Sequence, residues 1–282
     1  MHCLRTLRVI TCIAIVVAAS ACSRQPAAPA APMESAAWTQ FSNDFVEATF
    51  KAQPFFAVYS GRHEFDGQMP DLSKSGIEAE IARLNAARTA AMAIDGASMS
   101  EAQRFERDYV VSVIDNNLFW MAKAEFPFRN PAWYANQLDP DIYLARTYAP
   151  IEQRMKGYIG YARAIPGIAA SVRANLRTPL PKSFVEYAVK SFGGYGDFYR
   201  QDVPKIFASV NDPALQKELA DANGAAAAAM QELKRWFEQQ RKGANDNGYV
   251  LGPELFAAMV RETEGIDTPI AQIKAVGEAD VA

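Results

Sequence analysis

Apolar residues recur at spacings of three and four along most of this chain, and this periodicity restricts its fold more than any other feature. Residues three and four apart lie on one face of an α-helix, whereas a strand needs strict alternation, which is almost absent here. The longest stripe follows Asn211, Asp212 and Pro213, which favour a helix start. It comprises Leu215, Leu219, Ala222, Ala226, Met230, Leu233 and Phe237. The sequence therefore predicts an all-α, multi-helix array with one long helix near residues 213–240 and no substantial sheet.

Local signals predict where several other helices begin. Residues 36–58 read as a first helix interrupted near Pro54, because proline disrupts a helix interior. Ser73 is placed to cap the next helix, and Ser98 with Glu101 three residues later matches a capping box. The helix opened by that box carries apolar residues on or near one face, namely Phe105, Tyr109, Val113 and Trp120.

Glycine and proline predict the interruptions between helices. Residues 61–73 are expected to form a loop, since they include two glycines and a proline. A further apolar stripe ends at Ile165, directly before Pro166 and Gly167, so its helix is expected to end there. The glycine-rich residues 192–197 lack the Lys-Ser/Thr ending of a phosphate-binding loop and follow no strand, so they favour a helix break.

The N-terminus has the pattern of an export signal. Arg5 and Arg8 precede an apolar run over residues 9–18, and Ala19-Ser20-Ala21 then lead to Cys22. The run is shorter than the roughly 20 residues that span a bilayer. This pattern resembles a bacterial lipoprotein signal, in which Cys22 would be lipidated, although such signals more often carry leucine at the position of Ala19. An ordinary signal peptide with an incidental cysteine is the alternative.

These features predict the organisation and location of the chain. Residues 1–21 would be the signal peptide, 22–35 a Pro/Ala-rich tether, and 36–282 a helical portion that ends without a C-cap, as expected of a truncated domain. Once the signal is removed, Cys22 is the only cysteine, so no intramolecular disulfide can form. We expect an exported protein, anchored to the membrane by lipid and facing the periplasm. The absence of a basic block argues against nucleic-acid binding.

Candidate catalytic residues are few. His63 is the only histidine besides His2, which belongs to the signal, so a zinc site with two histidines cannot be built from this sequence. His63 follows Arg62 in a polar loop, and we predict no more than that these two residues could line a cleft; an exposed or locally bonded histidine is the simpler interpretation. No catalytic residue and no metal ligand is predicted within this chain.

A run of aromatic residues offers a second possible groove. Such residues could line a peptide or sugar site, but packing is favoured, because large aromatic side chains contribute much of the buried area in most proteins. The run comprises Phe119, Trp120, Phe126, Phe128, Trp133 and Tyr134.

An ordered set of short segments resembles the N-terminal half of the bacterial domain of unknown function 885 (DUF885) family. The resemblance covers roughly residues 45–282, and no segment alone is decisive. The segments are Gly61-Arg62-His63-Glu64-Phe65-Asp66-Gly67, Met69-Pro70-Asp71-Leu72-Ser73, Arg129-Asn130-Pro131 with Tyr134, Tyr148-Ala149-Pro150, Ala164-Ile165-Pro166, Ala174-Asn175-Leu176, residues 233–237, and Leu251-Gly252-Pro253-Glu254-Leu255-Phe256.

The resemblance implies a function only for a longer protein. Members of the family are about twice this length and resemble helical zincin-type metallopeptidases, whose C-terminal half carries His-Glu-x-x-Pro-Gly-His for zinc binding and water activation. That motif is absent from this sequence, so zinc and a peptide substrate are implied for the full-length form and not for this chain, which alone is expected to be inactive. The alternative function is a non-catalytic envelope lipoprotein that acts as a binding or scaffold module.

Overall fold

The computed structural model describes residues 34–281, and every regular element in that range is a helix. Within that range the only β-type pairing is an isolated bridge between Pro181 and Asn245. The prediction of an all-α, multi-helix array is therefore confirmed. The predicted signal peptide, Cys22 and all but the last two residues of the predicted tether lie outside the described residues. Between residues 34 and 281, no helix has the length and apolar character needed to cross a membrane.

The helices range from single turns to a helix of 28 residues. Short 3₁₀ turns lie at His63–Phe65, Gly96–Ser98 and Arg241–Gly243, and a π-helical turn lies at Phe119–Lys123. In chain order the α-helices are α1 (Ala36–Ala52), α2 (Pro54–Tyr59), α3 (Lys74–Ala93), α4 (Glu101–Leu118), α5 (Phe126–Arg129), α6 (Ala132–Ala135), α7 (Asp141–Leu144), α8 (Ile151–Asn175), α9 (Lys182–Gln201), α10 (Val203–Ile206), α11 (Pro213–Gln240), α12 (Pro253–Glu264) and α13 (Ile270–Val281).

Helices α8, α9 and α11 pack together as a central bundle that contains most of the core. The predicted long helix is α11, and all seven residues of its predicted stripe are buried. Asp212 caps it, since its carboxylate accepts hydrogen bonds from the backbone N–H groups of Ala214 (3.0 Å) and Leu215 (3.1 Å). The local pattern at this helix therefore predicted both its start and its buried face.

The predicted helix end before Pro166 is wrong, because α8 continues through that proline to Asn175. A proline in a helix interior costs about 3 kcal/mol. The continuation buries Ile168, Ala169 and Val172 against the bundle. Full burial of a large aliphatic side chain contributes roughly 1.5–3 kcal/mol, so burial of the residues beyond Pro166 offsets the lost hydrogen bond.

The predicted break at residues 192–197 is also wrong, because α9 is continuous there. Two of its glycines lie on the side that faces α11. A Cβ atom on Gly196 would lie 3.2 Å from the backbone carbonyl oxygen of Ala227 in α11, and one on Gly193 would lie 3.0 Å from Lys234 Cδ. The glycines therefore allow two long helices to approach closely, and the packing that results holds α9 in its helical conformation.

Helices α1, α3, α4 and α12 form an outer layer around smaller apolar clusters. The predicted interruption of the first helix at Pro54 is confirmed, as is the cap of α3, where Ser73 Oγ accepts from the Gly76 N–H at 3.1 Å. The predicted capping box at α4 is misplaced by two residues. It is formed by Ser100 and Gln103, whose side chain also binds the Ser35 N–H at 2.7 Å and so gains a distant partner.

The last two helices are less enclosed than the rest. Helix α12 packs on α4 and on the π-helical turn, where Lys123 Nζ lies 2.5 Å from a carboxylate oxygen of Glu262. In α13, all described residues after Ile270 are exposed, including Ile273 and Val276.

Candidate functional site

The loop between α2 and α3 lies directly on the central bundle. At Gly67 the backbone φ is +78°, and a Cβ atom there would lie 2.9 Å from the Gly157 carbonyl oxygen and 3.0 Å from the Cα of Gly160. The Gly67 N–H also donates to the Tyr143 hydroxyl at 2.9 Å. Both the conformation and the close approach require glycine at this position, so the loop is fixed on α8 at this residue.

His63, one of the two predicted cleft residues, is held by local contacts. Its ring stacks on Tyr148 with centroids 3.8 Å apart, and its Nδ1 lies 3.1 Å from Asp66 Oδ1. The Tyr148 hydroxyl donates to the other Asp66 oxygen at 3.0 Å. Burial, together with this hydrogen bond to the carboxylate, raises the pKa of Tyr148 well above its ordinary value, so the hydroxyl remains a donor at neutral pH. The three side chains join the loop to the segment before α8.

Arg62, the other predicted cleft residue, is directed toward α1. Its guanidinium lies 2.6 Å from Glu47 and 2.6 Å from Glu64, and it also lies over the ring of Phe50. The hydrogen bond from Arg62 holds the pKa of the Glu47 carboxyl below its usual range. Arg62 and His63 therefore make separate contacts and do not converge on one cleft.

The residues around His63 do not fit a zinc site. The structure places a single carboxylate, that of Asp66, within hydrogen-bond distance of the imidazole. Within residues 34–281, no three or more His, Cys, Asp or Glu side chains are grouped so that they could hold a metal ion. A protein zinc site normally takes three or four such ligands.

A groove along α9 opens at the surface. It has a volume of about 550 Å³ and lies between α9 and the segment of residues 135–144. Cavities of this size are typical of sites for small molecules or peptide side chains. The groove is lined by Ala135, Asp139, Pro140, Asp141, Leu144, Tyr187, Lys190, Ser191, Gly194, Tyr195 and Phe198.

One wall of the groove is fixed by hydrogen bonds. Asp139 Oδ1 accepts from the Asp141 N–H at 3.0 Å and so orders the start of α7. The Tyr195 hydroxyl donates to the Ala135 carbonyl at 3.0 Å, which ties α9 to the opposite wall. Burial, and secondarily the charge of Asp139, raises the pKa of Tyr195 to about 12, so this donor is kept at neutral pH.

The groove presents charges of both signs at an apolar surface. Asp141 and Lys190 are exposed on opposite walls, and neither forms an ion pair within the described residues. Tyr187 and Phe198 contribute apolar and aromatic surface between them. This arrangement can bind an apolar group that carries a charge at its end, because the charged walls need no rearrangement to receive it.

A smaller cavity of about 210 Å³ lies on the other side of the same segment. Its lining includes Phe55, Tyr59 and Asn136. Tyr59 approaches Asp139 at 3.5 Å and Tyr187 approaches Asn136 at 3.4 Å, so residues 135–141 form a ridge between the two cavities. No sequence motif indicates the groove, because its lining residues are scattered over 64 positions.

The aromatic run over residues 119–134 is packing and not a groove. Phe119 and Tyr134 are fully buried, and the other members are half-buried. The Tyr134 hydroxyl donates to the Pro127 carbonyl at 2.8 Å and accepts from Asn175 at 2.8 Å. The packing interpretation of these residues is the one that the structure supports.

The fold and the groove define an all-helical domain with an open groove along one helix of its central bundle. The chain belongs to the DUF885 family, described as bacterial proteins of unknown function, because the family model matches residues 54–282. None of the curated proteins matches the chain significantly.

One similar solved structure comes from Shewanella oneidensis, and its protein is provisionally described as a lipoprotein of unknown function. The two structures superpose with a TM-score of 0.78 at 19% sequence identity, over 87% of this chain and 46% of the other. At this identity the likeness shows a shared fold. The chain spans less than half the length of that protein.

Proposed function

We propose that this chain is the N-terminal helical part of a lipid-anchored envelope protein, in which it forms one wall of a substrate cleft. The observation that carries the proposal is the groove along α9, which is open, ordered by hydrogen bonds and charged at both walls. In full length the protein would be a zinc metallopeptidase-like hydrolase, as the family resemblance implies. The part of the Shewanella structure that this chain does not cover is long enough to correspond to a second half.

We assign substrate binding to this chain and zinc chemistry to the other half of the protein. Within residues 34–281 no cluster of His, Cys, Asp or Glu could hold a metal ion. The family resemblance implies that the zinc ligands would lie in the C-terminal half, outside this chain. The groove would bind part of a peptide substrate, with its apolar surface around Tyr187 and Phe198 receiving a side chain. Asp141 and Lys190 would orient charged groups of the peptide. These residues would therefore act in binding and orientation and not in bond cleavage.

The anchor would be Cys22, acylated after removal of residues 1–21. The arginines and the small residues before Cys22 support this proposal, and so does the description of the Shewanella protein as a lipoprotein. Acylation would hold the domain at the membrane surface, on the periplasmic side. Mass spectrometry of the mature N-terminus tests this part directly, because an unmodified Cys22 or cleavage at another position would contradict it.

A pair of glycine substitutions tests whether the groove is the cleft. Gly194 lines the groove, and Gly224 lies exposed on α11; a Cβ atom on either would meet nothing within 4 Å. Gly194→Leu therefore fills the groove without disturbing the helix, and Gly224→Leu is the matched control. In the zinc-loaded full-length protein, we expect Gly194→Leu to lower kcat/KM for peptides by about tenfold or more, since a lost apolar contact is worth roughly 1–3 kcal/mol.

Two results would contradict the proposal. Equal activity of Gly194→Leu, Gly224→Leu and the unchanged protein would show that the groove does not contact the substrate. Inactivity of the zinc-loaded full-length protein across a broad peptide library would favour the alternative function, a non-catalytic envelope lipoprotein that acts as a binding or scaffold module.

A further inference from the structure

The outer face of α4 carries the most exposed aromatic side chains of the described structure. Phe105 is 73% exposed and Tyr109, one helical turn later, is 63% exposed. Val113 continues the same row at 38%. We call these three residues the α4 stripe. The three residues lie on one face of α4, and that face points away from the core. The buried residues of α4 are Gln103 and Ile114.

The α4 stripe begins where the described chain begins. The Ser35 N–H donates to Gln103 Oε1 at 2.7 Å, and Gln103 Nε2 donates back to the Ser35 carbonyl at 3.3 Å. Ser98 Oγ lies 3.3 Å from Ser35 Oγ and adds a third contact. These bonds fix residue 35 beside Gln103 in the first turn of α4. Gln103 precedes Phe105 by two residues in the sequence.

This position limits the distance between the α4 stripe and an anchor at Cys22. The thirteen residues from Cys22 to Ser35 span at most about 45 Å when fully extended. A lipid-modified Cys22 would therefore keep the first turn of α4 within that distance of the bilayer. A weak membrane contact near such a tether is strengthened, since the tether makes the second contact intramolecular.

We propose that the α4 stripe rests on the surface of the membrane that holds the acyl chains of Cys22. The inference depends on the proposed lipid anchor. Aromatic side chains favour the boundary between headgroups and acyl chains, and a row of apolar residues on one helix face is the usual form of an interfacial contact. Phe105 and Tyr109 provide both features at the end of the molecule where the anchor is attached.

The charges beside the α4 stripe nearly balance, so the proposed membrane contact depends on the apolar side chains and not on electrostatic attraction. Five charged residues lie in the first two turns of α4, and their signs nearly cancel: Glu101, Arg104, Glu106, Arg107 and Asp108. Arg107 pairs with Asp108 at 3.2 Å, and Glu106 accepts from the Trp38 indole at 2.9 Å. Binding should therefore not require anionic lipid and should not weaken when salt is added.

Vesicle binding by the unacylated protein tests the proposal separately from the anchor. The full-length mature protein carrying Cys22→Ser is sedimented with phosphatidylcholine vesicles at low and high ionic strength. We expect weak, salt-independent binding that falls about tenfold or more in Phe105→Ser/Tyr109→Ser, because two aromatic side chains lose their contact with lipid. Phe56→Ser/Tyr249→Ser is the matched control, since these aromatic residues are also exposed, at 55% and 53%, and lie on α2 and in the loop before α12. This control should bind like the parent.

A second variant keeps the test independent of any loss of folding. Phe105→Trp should tighten binding, because tryptophan is the side chain most enriched at the membrane interface. Unchanged binding in both α4 variants would overturn the proposal, and so would binding that requires anionic lipid or disappears in high salt. A dimer that dissociates in Phe105→Ser/Tyr109→Ser would instead assign the α4 stripe to a second copy. An unacylated native Cys22 would contradict the anchor, even if the vesicle result held.

Discussion

The central bundle and the outer layer show the same helical periodicity of apolar residues, but they bury different fractions of those residues. In α11 every member of the apolar stripe is enclosed by α8 and α9. In α4 the row from Phe105 to Val113 is exposed, while the opposite side of the helix packs on α1 and α3. Periodicity therefore predicts that a helix forms, whereas the neighbours of that helix decide which face is covered.

The central bundle also encloses polar side chains. Asn223 accepts a hydrogen bond from the Tyr158 hydroxyl at 2.6 Å and donates to the Tyr199 carbonyl. The Tyr161 hydroxyl bonds both to Tyr199 and to the Leu138 carbonyl. Among the described residues, no buried side-chain nitrogen or oxygen lacks a partner. The bundle is therefore specified by hydrogen bonds as well as by apolar packing.

The largest expected difference between the two regions is in the response to losing an aromatic ring. Phe237 is fully buried in the bundle and stacks on Phe192 with centroids 5.5 Å apart. Phe237→Ala should lower the free energy of unfolding by about 3–5 kcal/mol, because it leaves a cavity in a close-packed core. Phe105→Ala in the outer layer should change it by no more than about 0.5 kcal/mol. Denaturant unfolding of both variants gives the comparison, and similar losses would show that the α4 stripe is structural.

A pair of glycines on α8 should respond with opposite signs. A Cβ atom on Gly160 would lie 2.9 Å from the Gly67 Cα and 3.0 Å from the Gly67 carbonyl oxygen, whereas one on Gly167 would meet nothing within 4 Å. Gly160→Ala should destabilise the protein by about 1–3 kcal/mol, since the clash is with backbone. Gly167→Ala should stabilise it by up to about 1 kcal/mol through helix propensity. Thermal unfolding distinguishes them, and a loss in both would mean that α8 is strained beyond Pro166.

The predictions from sequence succeeded where the determinants are local. The start of α11 needed only Asp212 and Pro213, and its buried face needed only the spacing of its apolar residues. The predictions failed at Pro166 and at Gly196, because the helix is held there by residues on the neighbouring helix or by apolar burial beyond the break. Only packing between distant segments shows why a helix-breaking residue is tolerated.

The candidate site also combines contacts that the sequence could predict with contacts that it could not. His63 and Asp66 are three residues apart and could have been paired from sequence, but Tyr148, which stacks on the imidazole, is more distant. The groove brings together Asp141 and Lys190, which no spacing rule connects. The sequence therefore indicated a polar loop with a locally bonded histidine, and gave no sign of the larger opening along α9.

The smallest expected effect is at the contact between α12 and the rest of the outer layer. Burial would raise the pKa of Glu262, but the hydrogen bonds from Lys123 and Arg261 outweigh burial and hold its pKa below the usual range. A lowered pKa means that the pair contributes stability above the pKa of the unfolded state and loses it as the pH falls through the folded pKa. Glu262→Gln should therefore cost at most about 1 kcal/mol at neutral pH, since Lys123 is largely solvated, and nothing in acid. Hydrogen exchange should show the loss in α12 alone, and faster exchange throughout α11 would mean that the two regions unfold as one unit.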